Sequence, residues 1–270
     1  MNAFAQHFAF EFRTGIRNRT LLLMNYLFPL GFYALMGVLF AQLNPGFILV
    51  MVPAMSVFAV LSGALLGLPD PHVTAREAGI FRSYRINGVP TLSILVIPVL
   101  TTMLHALLVT VIIAITAPLF FGAVAPVNWV AFFLVYLVMA LAFAGIGILI
   151  GVISSSSRIT VLWSQLLFLP SMLLGGLMLP TSALPASLAK VALILPTTYA
   201  MSAFDGLAMH GAPSIDPWLS LGVLAAGGLL AFAMSVFLFK WDSKNVTRGR
   251  HPALALLAWA PYLVGLLLSL

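Results

Sequence analysis

The chain has 270 residues, of which 62% are hydrophobic and 7% charged, with a mean hydropathy of +1.14 and a formal net charge of +6. A chain of this length cannot hide that much apolar surface inside itself, so its solvent is lipid and a soluble globular domain is excluded. The absence of cysteine removes disulfides, thiolate metal sites and a cysteine nucleophile.

Residues 1–20 read as a helix lying in the membrane interface. Phe4, Phe8, Glu11, Phe12 and Gly15 share one helical face, apolar side down, while Arg13, Arg17 and Arg19 gather near its end beside anionic headgroups. A cleavable signal is not expected here, because the following apolar run is too long and no A-x-A-like site follows it. Seven apolar runs come next, at 21–40, 47–68, 92–121, 129–153, 161–179, 218–239 and 252–270. Each approaches or exceeds the roughly 20 residues that a spanning helix needs. None alternates with period two, which argues against a β-barrel. The expected fold is all-α, a single transmembrane bundle of six spans with a candidate seventh at the C-terminus. The third run is longer than one crossing requires and holds Pro98 and Pro118, so it is expected to kink, tilt or extend beyond the bilayer.

Charge orients the bundle. Eleven of the twelve Lys and Arg fall before the first run or in alternate connections, and the opposite set, QLNPG, GAVAPVN and 180–217, holds only Lys190. The positive-inside rule therefore puts the N-terminus in the cytoplasm. The basic balance reflects these turns, and no nucleic-acid module is expected. Residues 180–217 are too apolar for a solvated loop and too rich in proline for a straight span, so short re-entrant helices on the outer side are expected. The turn KWDSKNVTRGRH holds the start of 252–270 in the cytoplasm. That last run is uncharged and long enough to cross, although Pro261 interrupts it.

Catalytic motifs are missing: the sequence has no G-x-x-x-x-G-K-[ST] phosphate loop, no H-E-x-x-H and no G-x-S-x-G. Within the runs His105 is the clearest ionisable residue, beside Thr101 and Thr102. These three form a candidate substrate pathway or proton relay, and the plainer alternative is a neutral histidine bonded to a neighbouring helix. Gly63-x-x-x-Gly67 and Gly147-x-x-x-Gly151 allow close helix approach inside the bundle.

The connection at 69–90 concentrates charge in a chain that uses little of it. Read as one helix over 74–86, it aligns Glu77, Phe81 and Tyr84 on one face, with Arg82 and Arg85 elsewhere. Aromatic rings flanked by charge in a water-facing turn suggest a docking plug for a soluble partner; a helix resting on lipid headgroups is the alternative.

The stretch REAGIFRSYRINGVP resembles the cytoplasmic coupling helix of ABC-2 type transporter permeases, through Glu77, Gly79, Ile80, Phe81, Tyr84 and Pro90. The resemblance extends to the basic N-terminal elbow and to a late LP-x-x-L…P-x-x-Y pattern, here Leu184, Pro185, Leu188, Pro196 and Tyr199. The chain departs from the family in having Ala75 and Arg76 where a second acidic residue is common, Asp205 where a basic one is common, and a seventh apolar run. The resemblance implies a permease subunit of an ABC exporter, without its own ATP-binding site, that works as a homodimer in the inner membrane. Its cargo would be an amphipathic or hydrophobic drug, lipid or lipid-linked glycan. It also implies a separate ABC ATPase subunit that binds ATP and Mg and grips Glu77, Gly79, Ile80, Phe81, Arg82, Tyr84 and Arg85. An intramembrane enzyme, or a membrane anchor of a signalling complex, is the alternative class.

Overall fold

The computed structural model describes residues 3–179, 181–209, 211–242 and 251–269. It is all-helical, with no strand among the described residues. An amphipathic helix α1 (Ala3–Arg17) precedes α2 (Arg19–Phe40). Asn18 separates them, its side-chain oxygen accepting from the backbone N–H groups of Thr20 and Leu21 at 2.9 and 3.2 Å, a helix N-cap that starts the first span afresh. There follow α3 (Phe47–Glu77), α4 (Ile80–Ile86), α5 (Thr91–Phe121), α6 (Trp129–Ile153) and α7 (Ser157–Leu174). The chain then passes through α8 (Ala186–Ala192), α9 (Pro196–Ala208), α10 (Pro217–Leu238) and α11 (Pro252–Ser269). Seven of these, α2, α3, α5, α6, α7, α10 and α11, are long and apolar enough to cross a membrane.

The sequence runs and the helices differ most at α3, which continues nine residues past its run, while α5 coincides with its run to within one residue and is as long as α3. Each has 31 residues, about 46 Å of helix against a hydrocarbon core of about 30 Å, so both project beyond the apolar slab. Pro98 lies within continuous α5, where the Thr101 hydroxyl donates to the carbonyls of Ile97 and Pro98, both at 3.1 Å.

Helices α3 and α6 form the centre, and small residues set their distances. A Cβ on Gly147 would lie 2.0 Å from the Ala64 carbonyl oxygen of α3, and one on Gly228 of α10 would lie 2.7 Å from Cα of Ala142 on α6. Glycine is thus required where these backbones touch. Gly63 and Gly67 fall in a π-helical turn of α3 facing a matching turn of α2, and the space they leave holds the Asn25 side chain. The outer faces of α2 and α7 carry Leu27, Leu35, Leu39, Leu162, Leu166 and Leu173 in the open, which only lipid or another apolar surface can cover.

Part of the expected apolar face of α1 meets the chain's own bundle, while Phe4 on that face is exposed. Gly15 is buried against His105 of α5, Phe12 stacks on that imidazole with centroids 4.4 Å apart, and Phe10, beside this face, is exposed. The face carrying Phe12 and Gly15 packs on the chain's own bundle because Gly15 leaves room for a ring there.

Candidate functional site

One end of the bundle gathers the basic residues: Arg76, Arg82 and Arg85 come from the α3–α4 hairpin, and Arg158 from the start of α7. The hairpin does not form the single helix expected over 74–86. Its first half is the last turns of α3, and the helix stops at Gly79, whose φ of +75° lies in the left-handed region that side chains disfavour. Nine residues later Gly88, at φ +72°, stops α4 in the same way. The two glycines therefore cut out a short helix that lies apart from both spans.

That helix is clamped by residues from distant parts of the chain. Phe81 is buried, with its ring 4.8 Å from His72 on α3 and 5.7 Å from Phe239 just after α10. Arg82 pairs with Asp242, and the Arg85 guanidinium lies over the Trp241 ring at 6.0 Å. Tyr84 meets the His7 ring of α1 edge-on at 5.7 Å. The expectation of an exposed Phe81–Tyr84 plug is thereby corrected, since Phe81 anchors α4 inward and Tyr84 is half-buried. The outward face consists of Glu77, Ile80, Arg82, Arg85 and Ile86, with Ile86 79% exposed. Sequence reasoning missed Ile86 because it lies two residues beyond the end of the aromatic pattern at Tyr84. The neighbouring basic residues Lys244, Arg248 and Arg250 lie outside the described residues.

Arg76 has a role that no local pattern announces. It is buried, and its guanidinium donates to the carbonyls of Gly151 at 3.3 Å, Val152 at 2.8 Å and also Ser154. These belong to the C-terminal end of α6, where carbonyls lack helical partners and the dipole is negative. A cation from α3 thus seals the end of α6 and fixes the root of the hairpin. The departure from the usual acidic residue has a structural use here.

Between α1, the hairpin, α2, α3 and α5 lies a cavity of about 200 Å³. It brings the hairpin residues Ile80, Phe81 and Tyr84 together with Thr101, Thr102 and His105, two groups assigned separate roles from sequence. His105 is buried and its Nδ1 lies 2.6 Å from the Tyr26 hydroxyl of α2, the neighbouring-helix bond expected of a packed histidine. Glu11 of α1 also lines the cavity; burial raises its pKa above the ordinary carboxylate value, and nearby His7 works the other way. Burial, and then the Glu11 charge, raise the Tyr84 phenol.

The opposite end holds a second hairpin. Helices α8 and α9 meet at 86°, and Pro196 opens α9 where a missing N–H costs nothing. The Thr198 hydroxyl donates to the Ala192 carbonyl at 2.6 Å, and that of Tyr199 to the Leu193 carbonyl at 2.7 Å, so the corner is bonded from within. Asp205 lies in the π-helical last turn of α9, where its carbonyl accepts from Gly211.

The fold and this site define a polytopic helical membrane protein with a clamped amphipathic hairpin at its basic end. The family model for ABC-2 type transporters matches residues 3–208, so the chain belongs to the ABC-2 type transporter family. No curated protein matches the chain. The family assignment makes the chain a transport subunit, and the matched region covers α1 through α9.

Proposed function

We propose that this chain is the membrane-spanning permease of an ATP-driven exporter, working as a homodimer in the cell (inner) membrane. A separate ABC ATPase that binds ATP and Mg drives it. The observation that carries the reading is α4, a seven-residue helix with two outward isoleucines and two arginines, held from behind by Phe81 and tied to the end of α10. Motion imposed on its outer face would pass to α3, α5 and α10 together, because the hairpin is covalently joined to two of them and clamped to the third. Glu77, Gly79, Ile80, Arg82, Arg85 and Ile86 form the docking face, while Phe81 and Tyr84 transmit the load. The cargo is an amphipathic or hydrophobic molecule, in keeping with how few ionisable groups the spans hold. The positive-inside pattern supports a cytoplasmic N-terminus. The test is co-purification of the ATPase with the Ile80→Glu/Ile86→Glu variant. Loss of the complex with normal membrane insertion is expected, and full transport by that variant would refute the reading.

The same reading takes α11 as a seventh span. Its first part, Pro252–Trp259, is 3₁₀ helix and its second, Ala260–Ser269, is α-helix. At 2.0 and 1.5 Å per residue they extend about 31 Å, enough to cross a core of about 30 Å. Pro261 falls at the second position of the α-helical part, where it removes no needed hydrogen bond. Support also comes from the Tyr199 hydroxyl, which lies 3.3 Å from the Tyr262 carbonyl and so brings α11 to the far-end hairpin. A tag after Leu270 should be cut by protease added outside intact cells; protection there would make α11 a re-entrant or surface element.

A further inference from the structure

We propose that the cavity enclosed by α1, the α3–α4 hairpin and α5 binds the ammonium head of a lipophilic organic cation. Glu11 is the only carboxylate among its lining residues, and no lysine or arginine lines it. The wall also holds six rings, His7 and Phe10 on α1, His72 on α3, Phe81 and Tyr84 on α4, and His105 on α5, with aliphatic residues such as Leu21, Leu68 and Ile94 between them. Aromatic faces attract cations, most strongly where water is excluded. The carboxylate is only loosely engaged by its neighbour: His7 Nε2 lies 3.7 Å from it, wider than a hydrogen bond, and the Glu11 side chain keeps 29% of its exposure. A half-buried anion whose one near neighbour is a histidine 3.7 Å away is costly in an aromatic enclosure, and a cationic head seated beside it would relieve that cost.

Size limits the ligand. A cavity of 150 Å³ holds a benzene ring, so about 200 Å³ takes a trimethylammonium head with its first carbons. The apolar tail would run out past Phe10, a lining residue that is 63% exposed. Because the hairpin forms one wall, an occupant would bear on Phe81 and Tyr84 directly.

The groups facing Glu11 are His7 on its own helix, Tyr84 on α4, His72 on α3 and His105 on α5. Burial keeps the carboxyl protonated to higher pH than an exposed one, so affinity should fall as pH drops through a range above the usual carboxylate value. Protonating His7 would add to the loss by competing for the carboxylate.

The experiment is equilibrium binding of radiolabelled phenyltrimethylammonium to the purified full chain in phosphatidylglycerol nanodiscs. It needs no ATPase, so its failure leaves the transport reading untouched. Saturable binding is expected, weakened tenfold or more by Glu11→Gln and undisturbed by excess tert-butylbenzene, the neutral isostere. Competition by that isostere would overturn the proposal even if Glu11→Gln failed to fold, because it would show that charge is not read. Equal affinity of the folded Glu11→Gln variant would overturn it as well. Nanodiscs containing phosphatidylethanolamine distinguish the source of the cation. Weaker apparent binding there identifies a lipid headgroup as the resident, and unchanged binding identifies a free amphiphile.

Discussion

The α3–α4 hairpin at the basic end and the α8–α9 pair at the far end both turn a short helix back on a longer one, yet they are held by different forces. The far-end corner has short bonds within itself, through Thr198 and Tyr199 to carbonyls only six residues away, beside longer ones from Thr197 to Ser171 and from Tyr199 to Tyr262. All eight residues of Pro196–Ala203 are buried. The basic-end hairpin is held from outside, by α6 through Arg76, by α1 through Tyr84 and by the exit of α10 through Phe81, Arg82 and Arg85. Its own outer face is bare. A corner satisfied locally keeps its shape when its neighbours move, whereas one held by three other elements must move with them. The first suits a fixed cap, and the second suits a coupling part.

Substitutions can break this contrast, and Arg76→Met should have the largest effect. It removes a buried donor from three carbonyls at the end of α6, each bond to a charged group contributing roughly 1.5–3 kcal/mol. Thermal unfolding in detergent should drop by many degrees, with co-purification of the ATPase lost as well. A stable variant would show that the hairpin does not depend on α6.

Next is the far end. Tyr199→Phe deletes the hydroxyl shared between Leu193 and Tyr262 and should cost about 1–2 kcal/mol. Gly265→Val should cost at least as much, because a Cβ there would lie 2.6 Å from the Tyr199 oxygen. Both should loosen α11, read as faster proteolysis beyond residue 251 with ATPase binding unchanged. If ATPase binding falls equally, the two ends are not mechanically separate.

Arg82→Ala sharpens the comparison from the other side. Its ion pair with Asp242 is exposed on the arginine side, so stability should change by less than about 0.5 kcal/mol. The clamp to α10 is nevertheless weakened, and ATP hydrolysis should uncouple partly from transport. Coupling equal to the parent chain would remove α10 from the load path.

The smallest effect is expected at His105→Gln. The amide can keep the hydrogen bond to Tyr26 and loses only the stacking on Phe12. Most transport activity should remain; its loss with normal folding would restore a proton-relay role for this residue.

Much of the candidate site was legible in order along the chain. The charges between Asp70 and Arg85 and the proline at 90 mark the connection wherever it folds, whereas periodicity reads through the break at Gly79 as one helix over 74–86, because it does not say where a glycine takes a left-handed turn. The direction in which Phe81 points was not legible. Its partner Phe239 is 158 residues away, and helical periodicity gives a face without saying what covers it. Arg76 was visible only as a departure from a pattern, since the carbonyls it bonds belong to a helix end 75 residues further on.

Composition alone required a lipid solvent, because no packing of this chain could bury its apolar surface. The runs of hydrophobic residues required helices, because lipid leaves the backbone no other donor or acceptor. The distribution of lysine and arginine separated the two ends before any fold was known. Tertiary structure decided which face of each helix is inside. The inward turn of α1 rests on a gap at Gly15 that fits His105, and the burial of Phe81 on a ring carried in from beyond α10. It also decided that Glu11, His72 and His105 share one cavity. Each of these depends on the shape of a neighbour distant in sequence, and side-chain complementarity of that kind exists only once the helices have packed.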